Sequence, residues 1–215
     1  MDDIAFVREV IGLLADTHGI DRAAVVAVGY SNGGQMVLRL LHEPEALLAG
    51  AVVVAATMPD REGFLGAFSD TSDRSIPVAL VAGNADRIVP FGGGRMAWWA
   101  RALFKVGGTA LSAPATAEYL AHRNGITAPP TVDLLPSRAA GSRGTRTERT
   151  AYRQEGRAPV TFYAVRGGGH TVPGPKAAPR IVGRTGTDAG IDEITIEVLD
   201  AVRAAGVAGS GGAPR

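Results

Sequence analysis

Short apolar runs that read as strands buried on both faces alternate along this chain with segments of helical apolar spacing. Together these predict one α/β domain, a mostly parallel sheet covered by helices on both faces. A third observation sets its extent. No internal repeat and no linker composition interrupts residues 1–205, whereas GVAGSGGAPR at 206–215 has the small, glycine-rich composition of a flexible tail.

The first helix is read from Ile4, Phe6, Val7, Val10, Ile11, Leu13 and Leu14, with Asp2 and Asp3 placed to start it and Gly19 to stop it. AAVVAVG is a continuous apolar run and hence a strand. Residues 32–42 return to helical spacing, and Pro44 stands beyond their end. LAGAVVVAATMP and SIPVALVAGNAD supply a second and a third strand. Helical patterns follow around 96–104 and in PATAEYLAHRNG. TVDLLP and RTERTAYR flank a polar, glycine-rich section and alternate in character like a hairpin. APVTFYAVRGGG is a fourth buried strand, and apolar residues at 191, 194, 198, 199 and 202 mark a closing helix.

The bulk composition narrows the function. The 215 residues suffice for one sizeable core, and 46% hydrophobic with 20% charged residues excludes a disordered chain. A net charge of +1 gives no global field for nucleic acid or an anionic membrane. The arginines of SRGTRTERTAYR are interrupted by Glu148 and by threonines, and read as a solvated strand and loop. With no cysteine, thiol nucleophiles, disulfides and cysteine-based zinc sites are excluded. No apolar run approaches the roughly 20 residues that cross a bilayer, and MDDIAFVREV lacks the pattern of a signal peptide.

In an open parallel sheet, reactive groups collect at the carboxyl ends of the strands. Ser31, the 57–60 segment, Asp86 and His170 fall at such ends. Gly29-Tyr30-Ser31-Asn32-Gly33 fits a G-x-S-x-G turn between strand and helix, which lifts a serine hydroxyl clear of the sheet. The Asn32 N–H, at the start of the following helix, would face a developing oxyanion. The competing reading is an ordinary turn in which Ser31 caps the helix. A serine needs a base. His18, His42 and His122 all lie near helix ends and need no catalytic explanation, while His170 follows three glycines after the last strand. Asp86 is placed to orient that imidazole, with a turn-forming role as the alternative; Asp60 competes less well, and Asp188 and Asp192 come after the histidine. Serine, aspartate and histidine in that order are the triad order of the α/β-hydrolases. Tyr30 and Gln35 are candidates for shaping a substrate mouth, or else for packing. The adjacent Trp98 and Trp99 are read as helix packing, with an acyl pocket as the alternative.

Taken together, DDIAFVREVIGLLADTHGID, GYSNGG, PVALVAGNADRIVPFGGG, GGGHTVPGP and VGRTGTDAGID resemble the polyhydroxybutyrate-depolymerase-like esterases, with their feruloyl and acetylxylan esterase relatives and the LpqC-type proteins. The resemblance implies an α/β-hydrolase fold and serine-dependent cleavage of carboxylic esters, with Ser31, Asp86 and His170 on the triad motifs, no cofactor and no metal. Val172 stands where many members carry tryptophan. The partner implied is a small-molecule or polymeric ester: polyhydroxyalkanoate, feruloylated xylan, acetylated sugar and small lipid esters all remain open. The 131–150 section is the expected source of specificity.

Hydrolases of this fold normally carry strands and a His-Gly loop before the nucleophile strand, the loop supplying a second oxyanion N–H. Here the sequence starts on the helix before that strand. The expectation is therefore a fold lacking its N-terminal strands, with 24–28 as a sheet edge open to homo-oligomerisation. A longer form with an upstream signal peptide would be extracellular. The rival functions are an inactive hydrolase remnant acting as an oligomerising protein, and a serine peptidase on the same fold.

Overall fold

The computed structural model of the chain describes residues 2–43, 45–61, 74–95, 108–138 and 144–210. Four helices and six strands are used below: α1 (Asp3–His18), β1 (Val26–Tyr30), α2 (Asn32–Leu40), β2 (Gly50–Val54), β3 (Val78–Gly83), α3 (Ala113–Arg123), β4 (Thr131–Leu134), β5 (Arg146–Tyr152), β6 (Val160–Arg166) and α4 (Ile191–Ser210). The strands form one sheet in the order β1-β2-β3-β6-β5-β4. The first four of these run parallel, and β5 and β4 extend the sheet antiparallel. The hairpin expected from TVDLLP and RTERTAYR is the β4–β5 pair, with Asp133 opposite Arg149.

Local chemistry sets the helix limits. The Asp2 carboxylate accepts from the N–H groups of Ile4 and Ala5, and Gly19 closes α1 at a φ of 65°. Ser112 caps α3 through Ala115 N–H, with proline in the first turn. The helix at the C-terminal end departs from the sequence pattern. It passes Val202 and Gly206 and reaches Ser210, where a flexible tail was expected from Gly206. Ala204 and Ala205 are strong helix formers and carry the helix past the last apolar repeat.

Two cores pack against the sheet. On one face Leu38 of α2 and Leu120 of α3 meet Val53, Leu80 and Phe162. On the other, Ile194 and Val198 of α4 meet Val52, Val81, Tyr163 and Val165. Each large side chain so buried contributes roughly 1.5–3 kcal/mol. The β1 run has the composition of a strand buried on both faces, and 24–28 is expected to form a sheet edge. Among the described residues it is an end strand, and Val28 is 50% exposed. The apolar side of α1 is also only partly covered, with Ile4 buried and Phe6 and Leu13 exposed. The helix expected around 96–104, with Trp98 and Trp99, lies outside the described residues. Among those described, no helix is long and apolar enough to cross a membrane.

One polar contact ties two helices together within the first core. His42, just past α2, is buried. Its Nδ1 lies 2.7 Å from the Leu38 carbonyl, and its Nε2 lies 2.6 Å from the Tyr119 hydroxyl of α3. The first contact makes Nδ1 the protonated nitrogen, so Nε2 accepts from Tyr119. Burial, outweighing the Leu38 carbonyl and helped by the Arg123 charge, pushes the imidazole down to about 4. The unfolded chain thus binds a proton here near pH 6.5 that the folded chain refuses until about pH 4, so stability falls as pH drops through that window. Urea unfolding of the wild type should lose roughly 1–2 kcal/mol more between pH 7 and pH 4.5 than that of His42→Gln. Equal losses would place the acid sensitivity elsewhere.

Candidate active site

The site is built at the carboxyl ends of β1, β3 and β6. In β1, Gly29 and Tyr30 sit opposite Val53 and Val54 of β2, and the chain then turns at once into α2. A Cβ on Gly29 would overlap the Gly33 carbonyl and come within 2.7 Å of the Gly34 nitrogen. The turn therefore requires glycine at 29. Gly34 is the second tight position, since a Cβ there would stand 2.8 Å from that of Ala56, whereas a Cβ on Gly33 would meet nothing.

Ser31, inside this turn, has φ 55° and ψ −117°. That backbone region is unfavourable for a residue with a side chain and persists where the surroundings enforce it. Both backbone groups of Ser31 are engaged: its N–H donates to Val54 O at 2.9 Å, and its carbonyl accepts from Gln35 N–H at 3.0 Å. The hydroxyl makes no capping bond to α2, so Ser31 is not the ordinary helix-capping serine. It lies instead 2.9 Å from His170 Nε2.

His170 arrives on the loop after β6. This loop folds over the end of β3 because glycine backbones approach one another closely. A Cβ on Gly83 would strike the Gly168 and Gly169 carbonyls, and one on Gly169 would stand 2.6 Å from the Gly183 Cα. The Gly169 N–H donates to Arg184 O at 2.9 Å, and the His170 N–H to Val182 O at 2.7 Å. The ring is thereby aimed at Asp86, whose Oδ2 lies 2.7 Å from Nδ1. Asp86 Oδ1 accepts from the N–H groups of Ile88 and Val89 at 2.7 and 2.9 Å, which fixes the carboxylate. The two side chains are only 5% and 3% exposed. In this arrangement Nδ1–H donates to the carboxylate and Nε2 is left to accept from the serine.

The other sequence candidates fall as follows. As the first residue of α2, Asn32 has an N–H with no acceptor inside the helix. The Tyr30 hydroxyl donates to the His170 carbonyl at 2.9 Å, and its ring lies 5.1 Å from the imidazole. Gln35 Nε2 donates to Thr57 O at 3.0 Å, tying α2 to the segment after β2. Of the rival carboxylates, Asp60 accepts from the Thr109 hydroxyl, and Asp188 accepts from Thr147 N–H at 2.7 Å. Val172 is partly exposed beside the base. No local pattern in the sequence marks the 182–184 strap, which holds the loop through the Gly169 and His170 N–H groups, as part of the site. Only its membership of VGRTGTDAGID pointed to it. Among the described residues, no group of three or more His, Asp or Glu side chains could hold a metal ion.

Residues 5–105 match the family described as phospholipase/carboxylesterase. Over 203 residues the chain is 28% identical to NocK of Nocardia uniformis subsp. tsuyamanensis, which carries the name of an esterase. That similarity covers 92% of this chain and 57% of NocK, so the chain spans little more than half of its relative. The sheet order, the strand–serine–helix turn and the family match together establish the α/β-hydrolase fold.

The glycine contacts make a sharp prediction. Gly29→Ala should cost more than about 3 kcal/mol or prevent folding, because backbone must move to admit the methyl group, while Gly33→Ala should stay within about 1 kcal/mol of the wild type. Thermal unfolding of the two variants side by side checks this.

Proposed function

We propose that the chain is a serine hydrolase that cleaves carboxylic esters through an acyl-enzyme. The observation that carries this reading is the hydrogen-bonded relay from Ser31 Oγ through the His170 imidazole to Asp86, starting from a serine whose hydroxyl has no structural duty in its own turn.

The chemistry follows from the geometry. Ser31 Oγ attacks the ester carbonyl as His170 Nε2 takes its proton, and the charge that forms on the imidazole is held against Asp86. The carbonyl oxygen becomes an oxyanion facing the N–H of Asn32, where the N-terminus of α2 also favours negative charge. Collapse of this intermediate expels the alcohol, which receives the proton from Nε2. Water then enters, His170 removes its proton, and a second tetrahedral intermediate releases the acid and restores Ser31. Every step uses side chains of this chain, and none requires a cofactor.

A specific observation bears on the substrate. A cavity of about 350 Å³ is lined by Asn84, Phe91, Tyr152, Phe162 and, from the hairpin, Glu148 and Thr150. It lies over β6 and β5 and reaches Asn84 at the end of β3, two to four strands from β1, hence roughly 10–19 Å across the sheet at about 4.8 Å per strand. An acetyl group on Ser31 does not reach that far. An extended ester, such as a polyhydroxyalkanoate or a feruloylated polysaccharide, does. This supports an extended or polymeric substrate whose selection involves the hairpin section. The inactive-remnant reading gains nothing from a site with all three side chains in hydrogen-bonding order.

Ser31→Ala should lower p-nitrophenyl butyrate hydrolysis by about 10⁴-fold or more. Wild-type protein that is folded and inert would defeat the esterase reading. Filling the cavity with Thr150→Trp should reduce kcat/KM on an oligomeric ester severalfold and leave p-nitrophenyl acetate turnover unchanged. A parallel fall on both substrates would remove the cavity from the substrate path.

A further inference from the structure

Tyr30 precedes the serine, 140 positions from His170 in sequence. Among the described residues β1 is an end strand, and Tyr30 is 41% exposed. Its hydroxyl nevertheless reaches back over the site and donates to the backbone carbonyl of His170, and its ring tilts by 46° over the imidazole. We propose that Tyr30 is a positioning residue that fixes the base relative to the nucleophile, an inference that rests on the esterase reading of the site.

The geometric argument starts from the sheet. Ser31 follows β1 and His170 follows β6, and β2 and β3 stand between those strands. No ladder pairing connects the two reactive groups, so their separation depends on how one loop is held over the carboxyl edge. The loop is anchored on its far side by His170 N–H to Val182 O and Gly169 N–H to Arg184 O. Those bonds fix it to the 182–184 strap but not to β1. The Tyr30 hydroxyl supplies the link to β1, and it does so from the residue adjoining the nucleophile. The distance from Oγ to Nε2 is therefore set from the serine's own backbone.

The chemistry of the contact agrees. The His170 carbonyl accepts the phenol proton, so the tether works only with neutral tyrosine. Partial burial, then the nearby Asp86 charge, raises the phenol above its ordinary value and keeps that proton on. The ring centroid, 5.1 Å from that of the imidazole, is close enough to favour the cationic ring that forms when Nε2 takes the serine proton. The hydroxyl and the ring thus have separable duties, one in distance and one in charge.

Two variants separate them. Tyr30→Phe keeps the ring and removes the tether, and being exposed and isosteric it should leave the fold intact. Its kcat for p-nitrophenyl butyrate should fall about tenfold with KM within about twofold, because misplacement of a reacting pair by a fraction of an ångström acts on the chemical step. The low-field proton resonance of His170 Nδ1–H should broaden or shift at the same time. Tyr30→Leu, which lacks the ring as well, should lose a further severalfold in kcat. Wild-type kcat together with an unchanged low-field resonance in Tyr30→Phe would overturn the assignment, as would a rise in KM with kcat unchanged, which would make Tyr30 a substrate contact. If wild-type protein itself turns over no ester, the esterase reading fails on its own account. The resonance comparison still decides whether Tyr30 positions His170.

Discussion

The backbone of Gly29 lies against the backbones of Gly33 and Gly34, and that contact decides where a reactive hydroxyl can stand. With no Cβ at 29, the chain leaves its register with β2 and enters α2 within a single residue. Ser31 is the residue caught between them. Its backbone conformation costs about 1–3 kcal/mol, offset in part by the bonds from its N–H to Val54 and from Gln35 to its carbonyl. Those bonds engage only the backbone of Ser31, and its side chain makes no capping bond to α2. The hydroxyl is left pointing out of the turn, available to a group from elsewhere in the fold.

The same device recurs where that group arrives. Gly83 under Gly168 and Gly169 beside Gly183 let two loops lie backbone to backbone over the end of β3. The result is a nearly water-free imidazole–carboxylate pair, which would be costly if any polar atom in it were idle. None is. Both ring nitrogens have partners, one carboxylate oxygen holds the ring and the other accepts two backbone N–H groups. The pair is held rigidly because desolvation makes each alternative arrangement lose a hydrogen bond with nothing to replace it.

How much of this could be read from the sequence depended on the range of the signal. Ser31, Asp86 and His170 were legible because each follows a recognisable apolar run directly, and the end of a parallel strand is where a fold of this class presents groups to a ligand. The hairpin was legible from alternation alone. Other features depend on distances along the chain that no local pattern carries. His42 reads as a helix-end histidine until Tyr119, 77 positions later, is brought beside it. Tyr30 reads as mouth or packing until its hydroxyl is seen to reach His170. The composition of β1 gives only its preference for burial; its place at the end of the sheet, among the described residues, agrees with the edge expected for 24–28 from the strands that normally precede it. The G-x-S-x-G pattern names Gly33, whereas the helix turns Gly34, not Gly33, toward Ala56 of the segment after β2.

Similarity and geometry support different parts of the site. The family match ends at residue 105, so it includes Ser31 and Asp86 and stops well before His170. Had that first half merely preserved the outline of a hydrolase, nothing would require the second half to deliver an imidazole to a point 2.9 Å from one of those groups and 2.7 Å from the other. Delivering it there takes β6 beside β3, the glycine loop folded over β3, the 182–184 strap behind it and the Tyr30 hydroxyl in front. Each of these is a separate physical condition on where the ring lies. That all of them hold in one chain is the strongest physical argument for treating the three side chains as a working unit, and it draws on the part of the sequence where the family match is silent.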